Sequence, residues 1–257
     1  MMIQKLTAAH TDQILAYAKV HERENLFVLG NFELGNPFDR ADFWGYFQEE
    51  KLIALVTYFR THKNFVVHTE DLDLLECLVK EPVKTGLEIE CVAAFERFAR
   101  PTVDFLKELN IKPEQEHESF VFQLKKEDFQ GIECGDARPG TIADISVIAD
   151  LGQVEASRVT PEREFLLFQE DQLVAKANIH GLSDHFFQIG GVITHEDHRR
   201  KGYGQKVVSK LCQHYFDQGQ QEGLLFVLHD NVPAQKLYKK LGFLQTDNFL
   251  IANYAKN

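Results

Sequence analysis

The sequence is short of positive charge, cysteine and long apolar runs, and each shortage removes a class of function. Lys and Arg number 28 against 39 Asp and Glu, a formal net charge of −11. A protein that coats DNA or RNA needs a basic face to meet phosphates, so no nucleic-acid partner is expected. No apolar run approaches the roughly 20 residues that span a bilayer, so no membrane partner is expected either. The opening MMIQKLTAAHTDQILAY turns polar too early for a secretory leader. Only four cysteines occur, Cys77, Cys91, Cys134 and Cys212, and none forms a C-x-x-C pair. That spacing excludes a disulfide framework and points to a reducing, cytoplasmic setting. The nucleophile elbow G-x-S-x-G, the dinucleotide fingerprint G-x-G-x-x-G and the P-loop are all missing. His195-Glu196-Asp197-His198 offers two histidines but no further clustered ligand, so no metal is expected.

What remains is an ordinary globular composition, 44% hydrophobic and 26% charged. A length of 257 residues suits one large domain or two small ones. The polar stretch Lys125–Thr141 carries Gly131, Gly135, Pro139 and Gly140 and loses all periodicity. It marks a boundary, giving domains of residues 1–125 and 126–257. The two sides repeat each other. Phe47–Ala54 reads FQEEKLIA and Phe168–Ala175 reads FQEDQLVA. Both patterns are strand, tight charged turn, strand. Strands over Leu55–Arg60 and Asn64–His68 follow in the first half, and over Lys176–His180 and Phe186–Thr194 in the second. Each half then offers a helix, a short apolar strand (Leu87–Val92 or Leu224–Leu228) and another helix. The same order twice predicts an internal duplication. Alternating strands and helices predict a mixed α/β or α+β class.

The chemistry concentrates between a strand and a helix. From Gly204 to Asp217, Val207, Val208, Leu211, Cys212 and Tyr215 recur at helical spacing. Just before it lies Arg199-Arg200-Lys201-Gly202-Tyr203-Gly204. Glycines let backbone approach a ligand, and the first N–H groups of a helix are unpaired and electropositive. With three adjacent cations they form a cradle for a pyrophosphate. Downstream, Asn231 can cap a further helix that has Pro233 in its first turn. Val232, Leu237, Tyr238 and Leu241 give that helix an apolar face, and Gly242 can end it.

The run GGVITHEDHRRKGYG, Gly190–Gly204, resembles the fourth strand and pyrophosphate loop of GCN5-related N-acetyltransferases (GNAT). NVPAQKLYKKLGF, Asn231–Phe243, resembles that family's N-x-x-A-x-x-L-Y-x-K-x-G-F signature. The resemblance is firm over the second half and covers the first only in its order of elements. It implies two tandem GNAT-like domains, each a mixed, mostly antiparallel sheet flanked by helices. It also implies acetyl-CoA as cosubstrate, no metal, and a small-molecule or peptide primary amine as acceptor. Val192, Ile193 and Thr194 would offer backbone groups to the pantetheine arm. Arg199, Arg200, Lys201, Gly202, Tyr203 and Gly204 would hold the pyrophosphate. Asn231 would hydrogen-bond the arm, and Tyr238 would protonate the departing thiolate, a role a phenol near pKa 10 can fill.

One departure stands out. Histone-type relatives carry a glutamate base where this sequence has Gln188. Glu155, His195, Glu196, Asp197 and His229 are stand-ins that sequence does not rank, and His180, Asp184 and His185 read as part of a hairpin turn. The first half has His68-Thr69-Glu70-Asp71-Leu72-Asp73 in place of the glycine loop, and its carboxylates would repel a pyrophosphate. That half is expected to be degenerate, serving to pack, to shape the acceptor pocket or to form a homodimer contact. Its Phe27, Phe32, Phe38, Phe43, Trp44 and Phe47 read as core. The rival readings are a non-catalytic acyl-CoA sensor or scaffold, and a transferase with another acyl donor.

Overall fold

A computed structural model of the protein describes residues 3–255. The chain forms two compact units. One comprises the segment ending at Phe120 and the segment beginning at Asp247; the other runs from Val121 to Thr246. The first unit contains β1 (Gln4–Leu6), α1 (Thr11–Val20), α2 (Leu26–Glu33), β2 (Ala41–Gln48), β3 (Lys51–Phe59), β4 (Asn64–Thr69), α3 (Leu75–Val83), β5 (Cys91–Phe95) and α4 (Glu96–Glu108). The chain crosses the boundary within β6 (Gln115–Lys125). The second unit then contains β7 (Arg138–Pro139), α5 (Ile145–Gly152), β8 (Glu164–Gln169), β9 (Gln172–Leu182), β10 (Phe186–Thr194), α6 (Tyr203–Gln218), β11 (Glu222–Leu228) and α7 (Val232–Lys240). It recrosses within β12 (Leu244–Asn253), whose Phe249–Asn253 pair antiparallel with β5 of the first unit.

Each unit repeats one topology. In the first, β1, β2, β3 and β4 pair antiparallel in order, and β4 then pairs parallel with β5. In the second, β7, β8, β9 and β10 pair antiparallel, and β10 pairs parallel with β11. The mixed, mostly antiparallel arrangement expected from the sequence is present twice. The repeated octapeptides explain part of this. Phe47 faces Leu52 and Gln48 faces Lys51, with an irregularity just before Phe47. Phe168 faces Leu173 and Gln169 faces Gln172, with the same irregularity just before Phe168. Both hairpins turn through left-handed glutamates, at Glu49 and Glu50 and at Glu170.

Three expectations are corrected. The strand expected over Leu87–Val92 is Cys91–Phe95. Gly86 ends the preceding helix, and Glu88 and Glu90 leave the sheet to pair with Lys63, Glu90 at 2.8 Å. His180 belongs to no turn: β9 continues through it to Leu182. Val232 also stands off the apolar face of α7 and is exposed, whereas Tyr238 and Leu241 are buried. The first-half aromatics lie where core was expected. Phe43 and Trp44 are buried, with Phe32, Phe38 and Phe47 packed against the cluster around Phe43.

Several buried polar groups of each unit are paired locally. In the second unit the Lys176 ammonium donates to both Glu164 oxygens, at 3.0 and 3.2 Å, and both side chains are almost fully buried. In the first, the Tyr17 hydroxyl is hydrogen-bonded to His68 Nδ1 at 2.5 Å, and His21 Nε2 bonds Glu70 at 3.0 Å. Burial, with His21 and Arg97 nearby, pushes His68 down to about 3 and pushes the Tyr17 phenol up. Both groups are therefore neutral at pH 7. All four cysteines are free thiols. Among the described residues no helix is long and apolar enough to cross a membrane.

Two stability predictions follow from these contacts. Gly242 ends α7 at φ +98°, and a Cβ there would lie 2.2 Å from the Asp128 carbonyl oxygen. A left-handed non-glycine residue alone costs about 1–2 kcal/mol. Gly242→Ala should therefore lower unfolding stability by at least about 2 kcal/mol in equilibrium denaturation. The second prediction concerns acid. Unfolded, His68 takes its proton near pH 6.5; folded, only near pH 3. The unfolded chain binds the extra proton between these values. Stability should fall as pH drops through that window, by up to about 1.4 kcal/mol per pH unit from this group. Urea midpoints of His68→Leu should fall less steeply over the same window than those of the wild type.

Candidate functional site

The site is built around a parting of two strands. β10 and β11 are laddered from Phe186↔Glu222 to Ile189↔Leu225, and there the ladder stops. From Gly190 onward β10 keeps only β9 as a neighbour, with Ile193↔Lys176 and Thr194↔Ala175. Val192, Ile193 and Thr194 thus present backbone on the side where β11 has left. Two irregularities flank the parting. Between Gln188↔Gly181 and Ile189↔Ile179, β9 carries one extra residue, His180. Between Gly190↔Asn178 and Ile193↔Lys176, β10 carries one extra residue, around Gly191 at φ +51°. Such bulges kink the strand and re-aim side chains.

Beyond Thr194 the His195 N–H donates to the Val174 carbonyl at 2.9 Å, and Glu196–His198 form one 3-10 turn. Arg200 at φ +63° and Gly202 at φ +81° then swing the backbone into α6. Gly202 caps that helix without a side-chain acceptor. The Lys206 N–H reaches the Gly202 carbonyl, but the first-turn N–H groups before it receive no side-chain cap. Gly204 is buried, and a Cβ there would press on Thr194 Oγ1 at 3.0 Å and Leu237 at 3.3 Å. Arg199, Arg200 and Lys201 are exposed. Among the described residues no carboxylate engages any of them; Arg199 reaches only the Thr194 carbonyl, at 3.4 Å. Three uncompensated cations in a chain of net −11 thus stand beside an uncapped helix start.

A cleft of about 1080 Å³ opens at this loop. Ile193, Thr194, Arg199, Lys201 and Tyr203 form one side, and Leu173 and Leu151 another. The Tyr203 hydroxyl donates to Gln169 Oε1 at 3.1 Å, tying the loop to the β8–β9 turn. Across the parting, Asn231 accepts the Ala234 N–H at 3.2 Å, so it is the helix cap the sequence allows. Its side-chain NH₂ donates to no group among the described residues. Leu228 and Val232, at the end of β11 and the start of α7, are exposed apolar residues. Tyr238 lies in α7, packed on Phe122 and Phe243. It is buried, and burial pushes its phenol well above the ordinary range, so it keeps its proton at neutral pH.

Of the stand-in bases, His195 and Glu196 line the cleft, and Glu155, Asp197 and His229 do not. Glu155, Glu196 and Asp197 are exposed. His195 Nδ1 sits 3.8 Å from Asp197, and His229 lies in the turn after β11, its carbonyl accepting from Gln235 at 3.0 Å. Among the described residues no group of three or more His, Cys, Asp or Glu is placed to hold a metal. Gln188 is buried on β10, its Nε2 donating to the Ile189 carbonyl at 3.1 Å and its Oε1 unpartnered. The residue that sequence reading missed is His180, whose ring lies over Gly190. A signal for it was present: Lys176, Asn178 and His180 alternate with Ala175, Ala177 and Ile179, a polar row on one face of a strand.

The first unit has no such opening. Ala54↔Thr69 there matches Ala175↔Thr194 here. After Thr69, its hydroxyl binds the Asp71 backbone and the Asp71 carboxylate accepts the Asp73 N–H at 3.0 Å. The helix start is thus occupied by the chain's own carboxylate. His68, at the position of Ile193, is buried against Tyr17.

The family model "Acetyltransferase (GNAT) family" matches residues 120–243. No curated protein matches the chain. Solved structures with the same fold include a Drosophila protein, at 12% identity over 98% of both chains with a TM-score of 0.73. An acetyltransferase from the GNAT family of Colwellia psychrerythraea is 15% identical over 99% of this chain and 100% of its own, TM-score 0.63. A tandem GNAT protein from the clavulanic acid biosynthesis pathway is 11% identical over the whole of both chains, TM-score 0.59. Residues 120–243 are a domain of the acetyltransferase (GNAT) family, in a fold of two tandem GNAT-like domains.

Proposed function

We propose that the second domain, within residues 126–257, is an N-acetyltransferase that moves the acetyl group of acetyl-CoA to a primary amine of a small molecule or peptide. The observation that carries this reading is the uncapped start of α6 beside Arg199, Arg200 and Lys201, set where β10 parts from β11. Arg199–Gly204 hold the pyrophosphate through backbone N–H groups and the three cations. Val192–Thr194 hydrogen-bond the pantetheine arm along the freed edge, Asn231 adds its amide from the other side, and Leu228 and Val232 cover the arm's apolar parts. The bound donor supplies an activated thioester. Attack by the amine is direct, without an acyl-enzyme: Cys212 is buried and its thiol pushed up by burial. Backbone N–H groups of the bulged strand stabilise the developing oxyanion. Tyr238 gives its proton to the departing sulfur.

The first domain, within residues 1–125, takes no part in donor binding, because Asp71 and the Tyr17–His68 pair fill the corresponding positions. Four free thiols suit a reducing, cytoplasmic setting. The acidic surface favours a cationic acceptor.

Thermal unfolding with acetyl-CoA tests the donor site. At about 100-fold excess over its dissociation constant, a ligand of the folded state adds about 2.7 kcal/mol. Wild type should show a clear upward shift. Gly202→Asp should lose it while keeping the fold: nothing lies within 4 Å of a Cβ at that position, and a non-glycine residue at φ +81° costs about 1–2 kcal/mol. No shift in wild type at millimolar acetyl-CoA overturns the reading. Steady-state thiol release tests the acid: Tyr238→Phe should slow turnover by about 10²-fold or more. An unchanged rate removes Tyr238 from the chemistry, and binding without turnover in wild type would make the domain a sensor.

A further inference from the structure

The bulge in β9 has a geometric consequence at the parting. His180 is the extra residue between Gly181 and Ile179, so it has no partner across the ladder. Its ring lies directly on the α-carbon of Gly190: a Cβ at Gly190 would fall 2.1 Å from Cε1, 2.3 Å from Nδ1 and 2.5 Å from Nε2. Gly190 is the first residue of β10 that β11 no longer covers. Among the described residues neither ring nitrogen of His180 has a hydrogen-bond partner. Two carbonyl oxygens nearby are also unmatched. Asn178 gives its NH₂ to Glu164 at 3.0 Å and leaves Oδ1 buried without a donor, next to Gly191. Gln188, 3% exposed, leaves Oε1 buried without a donor, and it shares a face of β10 with Gly190, two residues on. Buried unmatched acceptors of this kind call for a ligand that donates.

We propose that His180 is the base that takes a proton from the attacking amine, and that the Gln188 and Asn178 side-chain oxygens seat that amine beside it. This inference rests on the acetyltransferase reading above. A primary ammonium carries three donors and matches three acceptors. His180 takes one proton from the ammonium, leaving a free lone pair on nitrogen. That pair forms the C–N bond to the acetyl carbon. The C–S bond then breaks and its electron pair leaves on sulfur, which takes the Tyr238 proton. Nitrogen loses its second proton as the amide forms, and this proton returns to the phenol through solvent. The sum is amide, free thiol and one proton, which His180 releases to solvent.

The electrostatics suit a base. His180 is exposed as a residue, but protein packed against its ring lowers it from its ordinary value; Glu164 raises it, and Lys176 and Arg163 lower it. The Lys176–Glu164 pair is internally neutralised, so desolvation dominates and the imidazole is neutral at pH 7. A carboxylate at position 188, where Gln stands, is then unnecessary.

The test uses the full chain with acetyl-CoA as donor and spermidine and tyramine as probe amines. Thiol release and the acetyl-CoA thermal shift are followed for wild type and His180→Gln. The expected result is an unchanged shift with kcat/KM for the amine down about 10²-fold at pH 7. The acidic limb of the wild-type pH profile should also be absent in the variant, whose rate should keep rising as the free amine accumulates at high pH. Equal rates and pH profiles with the shift intact overturn the role of His180 alone. No thermal shift in wild type overturns the donor site itself. A shift in wild type without thiol release from either amine makes the site a binder, and the assignment of a base falls with it.

Discussion

Everything at this site depends on one break in a ladder of hydrogen bonds. Strands β10 and β11 are joined for four residue pairs and then separate. Past Ile189 the backbone of β10 is held from one side only, by β9. A strand edge inside a domain is normally covered, because unpaired N–H and C=O groups are costly once water is excluded. Here the edge stays available, and the segments that shape it follow from the same break. The two bulges kink β9 and β10 at the parting, and the 3-10 turn and left-handed residues carry the chain to α6. That helix then begins with its N–H groups pointing to the same opening.

The two domains show what the break requires. They share a hairpin sequence, its irregularity and the order of three antiparallel pairings and one parallel one. They differ in what comes after the strand that matches β10. The second domain spends eight residues, His195 to Gly202, on a loop with two left-handed residues and three cations. The first enters its helical turn almost at once, with Asp71 already bonded to the backbone that a phosphate would need. A buried Tyr17–His68 contact occupies the matching depth. One copy of the fold holds an open site and the other a closed one, and a handful of polar side chains decides which.

Burial sets the protonation of the groups that matter. Tyr238 and Tyr17 keep their protons and His68 stays neutral because the low-dielectric interior disfavours their charged forms. His180 is lowered by the same cause although the residue is exposed. The charged exceptions are paired: Lys176 with Glu164 in the interior, and Arg138 with Asp144, whose carboxyl is held far below its ordinary range by two 2.8 Å contacts. Against that background of compensation, the unpaired cations of the Arg199–Lys201 loop stand out.

The sequence by itself determined the duplication, the class and the Arg199–Gly204 loop before α6. These rest on local patterns. Period-two apolar strands, the helical spacing of Val207 to Tyr215, and glycines at Gly202 and Gly242 where the backbone turns left-handed are all read from neighbours along the chain. It misplaced the strand at Cys91–Phe95, because the ion pairs of Glu88 and Glu90 with Lys63 link residues far apart in sequence. It read His180 both as the end of a strand and as part of a hairpin turn. Only the tertiary structure showed that ring over Gly190, since its position depends on a one-residue mismatch between two strands. Register between strands is a property of the pair. A single strand read alone carries the alternation of its side chains but not the point at which its partner slips past it.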